Sequence, residues 1–409
     1  MLCCMDTADV AVIGAGASGL ACAQALSRAG LRVAVLEARN RVGGRVRTMR
    51  MPTGEVIELG AQVVHATHDQ HLLELISKAG IRTAPYRFDS DMYVVHGGVR
   101  WDAASLSRYR SPTPWVVERQ LGSDGATGTV ADALAHLPDN QRTLATAWLE
   151  QVVGGDCRAL DVAGVAIDRA SRNPGSEIVV VDGFDKVTKA LSRGLDVRLA
   201  SPVETIRWSR RGVETGGVLS ARAAVVTVPP SVILDGGLNF EPPLPGDKVA
   251  ALPSLASTDA LSVVLTTAEP ARRSVWAMLV DKPQGLWWTK AGSPHVVGHV
   301  KGPAAAGARE WGLTADHAAQ VAVALDPGLG AVTSISLQDW GADSWARGGY
   351  TVPVTGVDDA SRRWAEPVDG VLFFAGEATA DRGLRGLVQG AITSGLRAAR
   401  HLLDRLDHE

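Results

Sequence analysis

The fold is decided near the N-terminus, by Asp9-Val10-Ala11-Val12-Ile13-Gly14-Ala15-Gly16-Ala17-Ser18-Gly19. An apolar strand pattern runs into G-x-G-x-x-G, a helix pattern leaves it, and a second apolar run ends in Glu37. In this order Gly14 permits a tight turn, Gly16 lets the backbone approach a pyrophosphate, and Gly19 lets the helix pack on the strand. The phosphates would lie at the helix N-terminus, and Glu37 would accept hydrogen bonds from a ribose hydroxyl. The pattern predicts a dinucleotide-binding fold.

The segment after Glu37 indicates which dinucleotide is bound. It continues as Ala38-Arg39-Asn40-Arg41-Val42-Gly43-Gly44-Arg45, and Glu58-Leu59-Gly60-Ala61-Gln62-Val63-Val64-His65 follows after a short interval. A Gly-Gly-Arg loop places bare backbone and a guanidinium against a second stretch of the pyrophosphate, which an enzyme that uses only NAD does not need. The plainer interpretation is a glycine turn beside a surface arginine. We expect the dinucleotide to be FAD.

The composition limits the classes of protein to consider. With 409 residues two domains are expected, and a hydrophobic content of 46% supports large cores. The net charge of −3, without a block of like charge, gives no sign of nucleic acid or an anionic membrane as a partner. The cysteines form no disulfide framework, which fits a reducing cytoplasm. They are Cys3, Cys4, Cys22 and Cys157.

Residues 10–29 are apolar enough to suggest a signal peptide or a membrane span. Asp6 and Asp9 precede the stretch, no basic region does, and glycines, Ser18 and Gln24 interrupt it. It is better interpreted as the buried first strand and helix of the nucleotide fold. Because the sequence ends in a charged amphipathic helix pattern, we expect no membrane anchor.

Motifs at both ends of the chain resemble those of the flavin-containing amine oxidase family, which includes monoamine oxidases, polyamine oxidases and L-amino-acid oxidases. The C-terminal motifs, in the family's order, are Asp339-Trp340, Gly348-Gly349-Tyr350-Thr351, Phe373-Phe374-Ala375-Gly376-Glu377-Ala378-Thr379 and Gly386-Leu387-Val388-Gln389-Gly390-Ala391-Ile392-Thr393-Ser394-Gly395. The likeness covers the chain from end to end, with the middle loosely matched. It implies an α/β fold: a Rossmann-like FAD-binding domain assembled from discontinuous segments, plus an α+β substrate domain with a mixed sheet flanked by helices.

Strand and helix patterns divide the chain between these two domains. The FAD-binding domain is predicted to comprise residues 1–82, 177–237 and 365–409. Its later segments carry runs that predict buried strands at 178–181, 203–206 and 223–228 and a helix at 185–195. The substrate-binding domain is predicted to comprise 83–176 and 238–364. Its patterns predict helices at 130–137, 142–153 and 314–325 and strands at 261–266, 277–280 and 295–300.

The motifs and the resemblance together assign the residues that contact FAD. They are Gly14, Gly16, Ala17, Ser18, Gly19, Glu37, Ala38, Arg39, Gly44, Arg45, Gly60, Ala61, Gln62, Val63, Val203, Gly376, Glu377, Gly386, Leu387, Val388 and Ala391. Gly349 stands where monoamine oxidases carry the cysteine that links flavin covalently. The FAD is therefore expected to be non-covalent.

The resemblance makes Tyr350 and His65 the candidate catalytic residues. Tyr350 matches the position where an aromatic ring flanks the substrate amine, the alternative being a core tyrosine bonded to backbone. His65 matches a position where polyamine oxidases hold a histidine or an acid, the alternative being a histidine bonded to a loop carbonyl. Leu387 replaces the second tyrosine of the monoamine oxidase cage and is a candidate substrate contact. His65, His68 and His71 repeat every third residue, but no Cys or Glu completes a metal set, and no metal is expected.

The substrate side leaves several assignments open. Many family members place a lysine on a strand near the flavin, but the matching strand here offers only Ser262 or Ala260. The lysines that could substitute for it in space are Lys290 and Lys301. Trp287 and Trp288 are both candidate substrate contacts, although adjacent strand residues face opposite sides and at most one can reach the site. The candidate cations for a substrate carboxylate are Arg347, Arg382, Arg385 and Lys290.

We therefore predict a soluble, cytoplasmic FAD-dependent oxidoreductase that oxidises the C–N bond of an amine or amino-acid-like substrate. The product would be an imine, formed by hydride transfer to flavin N5. O2 is the expected acceptor and gives H2O2, although the missing lysine puts fast use of oxygen in question. A homo-oligomer and a role in secondary metabolism are compatible with the sequence. The alternatives are an FAD-dependent desaturase or dehydrogenase that acts on a larger metabolite without peroxide, and a flavin-bound protein that is not catalytic.

Overall fold

The computed structural model describes residues 6–65, 70–86, 92–108, 117–118, 120–121, 127–171 and 177–407. The strands of this part of the chain form two large sheets and two small ones. In chain order they are β1 (Asp6–Ile13), β2 (Val33–Leu36), β3 (Thr48–Arg50), β4 (Val56–Glu58), β5 (Val63–Val64), β6 (Thr83–Pro85), β7 (Met92–His96), β8 (Val99–Asp102), β9 (Ile178–Val180), β10 (Asp196–Arg198), β11 (Thr205–Ser209), β12 (Gly212–Thr215), β13 (Leu219–Val226), β14 (Asn239–Glu241), β15 (Ala260–Thr267), β16 (Val275–Leu279), β17 (Gly285–Thr289), β18 (His295–Lys301), β19 (Val332–Asp339) and β20 (Leu372–Phe374).

The helices lie between these strands and pack on the faces of the large sheets. They are α1 (Ala17–Arg28), α2 (His71–Lys78), α3 (Ala103–Arg108), α4 (Val130–Leu134), α5 (Asp139–Val153), α6 (Val162–Ser171), α7 (Asp185–Leu191), α8 (Pro230–Leu234), α9 (Gly246–Ala251), α10 (Pro303–Trp311), α11 (Ala315–Leu325), α12 (Val357–Ala365) and α13 (Val388–Asp407). The α/β fold class predicted from the sequence is confirmed, and each predicted strand and helix is found with shifted ends.

The first large sheet has the order β10-β2-β1-β13-β12-β11-β14, and β20 pairs with the second half of β13. Strand β1 is parallel to both β2 and β13, and it is buried on both faces because helices cover each side. Val10 and Val12 point to the core beneath α1 and α13, whereas Ala11 and Ile13 point to the core beneath α9 and α12. This double burial explains the continuous apolar run that enters the glycine motif.

Helices α1 and α13 pack closely because small residues face each other. The backbone of Gly395 lies against the carbonyl of Ser18, so a side chain at Gly395 would collide with that oxygen. The hydroxyls of Ser18 and Ser394 are hydrogen-bonded at 3.2 Å. The C-terminal helix therefore anchors the helix that begins at the dinucleotide turn.

The second large sheet has the order β19-β15-β18-β17-β16-β7-β8. Its pairs are antiparallel except for β16 with β7, so the sheet is mixed, as predicted. One face packs against α10 and α11 through residues such as Val296 and Val300. The opposite face carries Ser262, Trp288 and Lys301 and borders a large cavity.

Two predicted domain boundaries differ from the packing. Strand β14 belongs to the sequence segment assigned to the substrate domain, yet it pairs in parallel with β11 of the first sheet. Leu252 and Leu255 also pack on that sheet, together with Val357 and Trp364 of α12. The core of the first sheet therefore extends past residue 237 and includes helix α12, which begins before residue 365, because apolar side chains of the crossover segments complete this second core.

Glu58 links β4 to the N-terminus of α7. Its carboxylate accepts hydrogen bonds from the Phe184 N–H at 2.7 Å and the Thr48 hydroxyl at 2.8 Å. Burial raises the pKa of Glu58 to about 7, and these hydrogen bonds offset only part of that effect. The folded chain therefore holds a proton there that the unfolded chain, with an ordinary carboxyl pKa, loses at lower pH.

We expect the stabilising effect of this proton to be complete at acidic pH and lost as the pH rises through about 7. Glu58→Gln keeps the shape and removes the titration. The difference in Tm between this variant and the wild type should therefore shift in favour of the variant as the pH rises from about 4.5 to about 7. Thermal unfolding at a series of pH values measures it. A difference that is constant with pH would contradict the assignment.

Candidate active site

A single cavity of about 910 Å³ runs from the end of β1 to the inner face of the second sheet. At one end it is lined by Gly14, Gly16 and Glu37. At the other it is lined by Trp288 and Tyr350. The predicted nucleotide turn and the predicted substrate wall therefore share one continuous space.

The glycine turn has the geometry that the sequence predicted. Gly14 adopts φ +105°, a left-handed conformation that favours glycine, and it lies against the Thr227 hydroxyl. A side chain at Gly16 would project into open space on the cavity side, so the bare backbone leaves room for a ligand. Gly19 is the exception among the predicted cofactor contacts. It packs against the Gly14 carbonyl and does not line the cavity.

The Gly43–Gly44 loop lies directly against this turn. The Gly43 N–H donates to the Ala15 carbonyl at 2.8 Å, and both loop glycines have positive φ. Arg41 holds the loop from behind, since its guanidinium donates to carbonyls within the loop, including that of Gly44 at 2.8 Å. Burial lowers the pKa of Arg41 to about 10, which leaves it charged at neutral pH.

Glu37 closes the turn from the end of β2. It is buried, and its carboxylate accepts hydrogen bonds from the Ala15 N–H at 2.7 Å and the Arg39 N–H at 2.8 Å. Arg39 in turn forms a bidentate pair with Asp343 at 2.7 and 2.8 Å. Burial opposes ionisation of Asp343, but the hydrogen bonds and charge of Arg39 outweigh it and hold the pKa below its usual range. Glu37 thus orders the turn and also lines the cavity.

Arg45, which the sequence predicts to face a pyrophosphate, also binds groups of the protein. Its Nη1 donates to the Gly349 carbonyl at 2.8 Å and to the Glu377 carboxylate at 3.0 Å. Its Nε and Nη2 make no hydrogen bond within the described chain, and the residue lines the cavity. Arg45 is therefore a structural tie on one side and has N–H groups available for an anion on the other.

Tyr350 lies at the far end of the cavity. Its hydroxyl donates to the Val153 carbonyl at 3.0 Å and accepts from Lys301 Nζ at 3.3 Å. A side chain at Gly154 or Gly386 would press on the tyrosine, so both glycines make room for it. Tyr350 is bonded to backbone, as the plainer interpretation proposed, and it also lines the cavity.

The strand position where a lysine was sought holds Ser262, and a histidine from the next strand accompanies it. Ser262 Oγ donates to the Leu59 carbonyl at 2.7 Å and lies 3.1 Å from His299 Nδ1. His299 Nε2 has no hydrogen-bond partner in the described chain. Burial and, to a smaller extent, the charge of Lys301 lower the pKa of His299 to about 3, although a hydrogen bond with the backbone of Glu58 acts in the opposite direction. The imidazole is therefore neutral at physiological pH.

Aromatic rings form a wall on the cavity face of three adjacent strands. The ring centroids of Trp276 and Trp288 are 4.6 Å apart with planes at 17°, and those of Trp288 and His299 are 5.0 Å apart at 7°. Tyr86 meets Trp276 edge-on at 5.8 Å. We call these four residues the aromatic wall. The prediction of a substrate contact at Trp287 is wrong, because that ring is fully buried on the helix-covered face of the sheet.

His65 lines the cavity beside β5. Its Nδ1 lies 3.9 Å from the Glu177 carboxylate, and its carbonyl accepts a hydrogen bond from Gln389 at 2.6 Å. His68, the middle member of the histidine repeat, lies outside the described residues. Within those residues no cluster of three His, Cys, Asp or Glu side chains could hold a metal ion.

Of the cations proposed for a substrate carboxylate, one lines the cavity. Arg385 is buried there and pairs with Asp358, which also binds Arg382. Arg347 pairs with Asp235, and Lys290 is exposed beyond β17. Of the two lysines considered as substitutes for the missing strand lysine, Lys301 lines the cavity and Lys290 does not.

The remaining predicted cofactor contacts all line the cavity. They are Ala17, Ser18, Ala38, Gly44, Gly60, Ala61, Gln62, Val63, Val203, Gly376, Gly386, Leu387, Val388 and Ala391. Sequence reasoning missed others that come from the insertions, such as Tyr86, Gln151 and Trp276. They lie in no motif. His299 had one available signal, since it shares a face of β18 with Lys301 by strand alternation.

The model of the flavin-containing amine oxidoreductase family matches residues 17–112 and 117–403. This chain belongs to that family. It is accordingly an enzyme, and its cofactor is FAD. The residues present fit this group, because the bare backbone at Gly16, the available N–H groups of Arg45 and the acceptor Glu37 suit a pyrophosphate and a ribose.

Two relatives and one solved structure illustrate the family. Polyamine oxidase 4 of Oryza sativa subsp. japonica is 27% identical over 446 residues, which cover 98% of this chain and 90% of that protein. Lysine-specific histone demethylase 1B of Mus musculus is 26% identical over 448 residues, and the chain spans only 52% of its length. Cyclohexylamine oxidase from Brevibacterium oxydans superposes with a TM-score of 0.78 at 21% identity, covering 98% of this chain and 99% of that one. This structural likeness shows the shared fold.

In the described part of the chain, no helix combines the length and the apolar character needed to cross a membrane. Cys22 and Cys157 are buried free thiols, and Cys3 and Cys4 lie outside the described residues.

We expect Glu37→Ala to lose most of its FAD. The substitution removes a ribose acceptor and leaves two backbone N–H groups without a partner, at about 1–3 kcal/mol each, or roughly tenfold or more in affinity. The control is Glu55→Ala, since Glu55 bonds Ser293 away from the cavity. Flavin absorbance relative to protein absorbance measures the effect. Equal FAD content in the two variants would refute the role of Glu37.

Acid precipitation should release intact FAD into the supernatant. The reason is Gly349, which offers no side chain for a covalent link. Absorbance and chromatography of the supernatant measure the released flavin. Flavin that stays with the denatured polypeptide would show that another residue forms a bond to it.

Proposed function

We propose that the protein oxidises the C–N bond of an amine or amino-acid-like substrate to an imine at the Tyr350 end of the cavity, with O2 as the acceptor. The observation that carries this is the continuity of the cavity from the nucleotide turn to the aromatic wall. Bound FAD would accept a hydride from the carbon that bears the nitrogen. That nitrogen loses a proton, water hydrolyses the imine, and O2 takes up the electron pair to give H2O2.

Tyr350 is proposed to orient the substrate amine. Hydrogen bonds to Val153 and from Lys301 hold its hydroxyl, so the ring is presented to the cavity in a single orientation. The aromatic wall excludes water, and burial favours the neutral amine over the ammonium form, which has no lone pair to assist hydride loss. Leu387 lines the same space and leaves a wider opening than a second tyrosine would.

His65 is proposed to bind a polar group of the substrate. Gln389 fixes its backbone, and Glu177 lies 3.9 Å from its ring. The imidazole therefore lies beside a carboxylate at the cavity wall. The Ser262–His299 pair supplies a neutral acceptor on the sheet face, near the strand position where many family members carry a lysine.

Other features of the proposal rest on the sequence. We propose the two-domain division with the boundary changes given above, a cytoplasmic location and assembly as a homo-oligomer. A role in secondary metabolism also remains a prediction. A desaturase or dehydrogenase without peroxide formation is the second candidate, favoured by the absence of a lysine at Ser262.

The reductive half-reaction tests the proposed residues. Tyr350→Ala and His65→Ala should slow anaerobic flavin reduction by an amine substrate while FAD content and the visible spectrum stay nearly unchanged. Stopped-flow absorbance measures the rates, and His136→Ala serves as the control because His136 is exposed.

Wild-type rates of flavin reduction in both variants would place substrate contact elsewhere. Admitting air after reduction then separates the candidate functions. Stoichiometric H2O2 supports the oxidase, whereas slow reoxidation without peroxide supports the dehydrogenase. Failure of every amine and amino acid to bleach the flavin would overturn the proposed function.

A further inference from the structure

Hydrogen bonds hold Lys301 in place at the end of the cavity that Tyr350 lines. Its N–H donates to Gln151 Oε1 and its carbonyl accepts from Gln151 Nε2, both at 3.1 Å, and Gln151 is fully buried. These two bonds fix the backbone at the end of β18. The side chain then places Nζ at 3.3 Å from the Tyr350 hydroxyl.

Lys301 differs in its pairing from the other cations of the cavity. Each of those forms an ion pair with a carboxylate: Arg39 with Asp343, Arg45 with Glu377, Arg169 with Glu118 and Arg385 with Asp358. Within the described residues Lys301 forms no ion pair. Its side-chain partner, the Tyr350 phenol, is neutral. An ammonium on a half-buried wall, with no counter-charge, favours an anionic group in the ligand.

The charge of Lys301 acts on His299 of the same strand. His299 lies two residues away on the same face of β18, and the pKa of its ring is lowered in part by the Lys301 ammonium. The neutral imidazole adds no charge of its own beside the Lys301 ammonium.

The aromatic wall continues from this point across the sheet. His299 stacks on Trp288, and Trp288 stacks on Trp276. Because the stacking covers both faces of Trp288, the wall presents ring edges to the cavity, and a flat ring can pack against these edges in an edge-to-face arrangement. Lys301 and the aromatic wall therefore present an ammonium group next to a surface suited to an aromatic ring.

We propose that the substrate is an aromatic amine that carries a carboxylate, in chemical class an aromatic amino acid. The carboxylate binds Lys301 and the ring packs against the ring edges of Trp276 and Trp288. This inference rests on the proposed function, since it identifies the substrate class of the same site. It opposes a polycationic substrate with an ammonium group at this end, because Lys301 would repel it.

Binding to the holoenzyme tests the charge directly. The probes are indole-3-propionate and its uncharged amide, and each is titrated against the visible spectrum of the oxidised flavin. Lys301→Gln should weaken binding of the carboxylate by about tenfold or more and change binding of the amide by less than about threefold. Lys301→Arg should restore most of the loss. Lys290→Gln is the matched control, because Lys290 is exposed and does not line the cavity.

The wall is tested by Trp288→Leu. This variant should weaken the carboxylate and the amide by a similar factor, since both carry the same ring. A loss confined to one probe would contradict packing of the ring on the wall. Equal effects of Lys301→Gln on the two probes, no effect on either, or a loss of FAD content would overturn the carboxylate assignment.

Flavin reduction separates this inference from the proposed function. Paired substrates, L-tryptophan with tryptamine and L-phenylalanine with phenethylamine, are compared under anaerobic conditions, with putrescine as a dicationic amine. Faster reduction by the amino acids, lost in Lys301→Gln, is the expected result. Reduction by tryptamine or putrescine but not by the amino acids would overturn the inference and leave the proposed function intact. If no amine reduces the flavin, the proposed function fails, and the binding titrations still decide whether Lys301 recognises a carboxylate.

Discussion

The buried carboxylate of Glu377 holds together the end of the cavity that Tyr350 lines. It accepts hydrogen bonds from Arg45 Nη1 at 3.0 Å, from the N–H and hydroxyl of Thr351 at 3.2 Å each, and from the Gly386 N–H at 2.9 Å. A carboxylate offers about four acceptor positions, so protein donors occupy nearly all of its capacity. Since an unpaired buried charge is costly, each donor is required in place. The carboxylate thereby fixes the relative positions of segments more than 300 residues apart in sequence, as in the Arg45–Glu377 pair.

The tie at Glu377 explains how a domain built from separated segments forms one precise site. Arg45 also donates to the Gly349 carbonyl, which sets the backbone immediately before Tyr350. Gly386 is held on the other side, and a side chain there would meet the Tyr350 ring at 3.1 Å. The position of the tyrosine thus follows from a buried charge pair and a missing Cβ, with the Val153 carbonyl and Lys301 fixing its hydroxyl. Hydrogen bonds between these motifs bring residues that are distant in sequence into one site.

The features that the sequence predicted well depend on local interactions. The turn at Gly14 and the acid at Glu37 are specified by a strand, a helix and a loop that are contiguous in sequence, and the fold class follows from their alternation. The features that it predicted poorly depend on long-range pairing. Strand β14 joins the first sheet through β11, and Trp287 faces away from the cavity because the register of β17 places its ring beside Gly298. Neither register nor crossover packing can be derived from the periodicity of one strand.

The missing lysine shows what register adds to function. In β15 the relevant face carries Ala260 and Ser262, which are small and lack a charge. Antiparallel pairing places Lys301 opposite Ala260 and His299 opposite Ser262, so a neighbouring strand supplies an ammonium and an imidazole to the same surface. Cross-strand partners have Cβ atoms about 4.5–5.5 Å apart, well within the reach of a long side chain. A comparison of β15 alone therefore finds no lysine. In the sheet as a whole, the neighbouring strand β18 supplies the positive charge and places it beside Tyr350. The cation of this site bonds a neutral phenol and has no carboxylate partner in the described chain. Such a site selects its substrate by charge as well as by the presence of an aromatic ring.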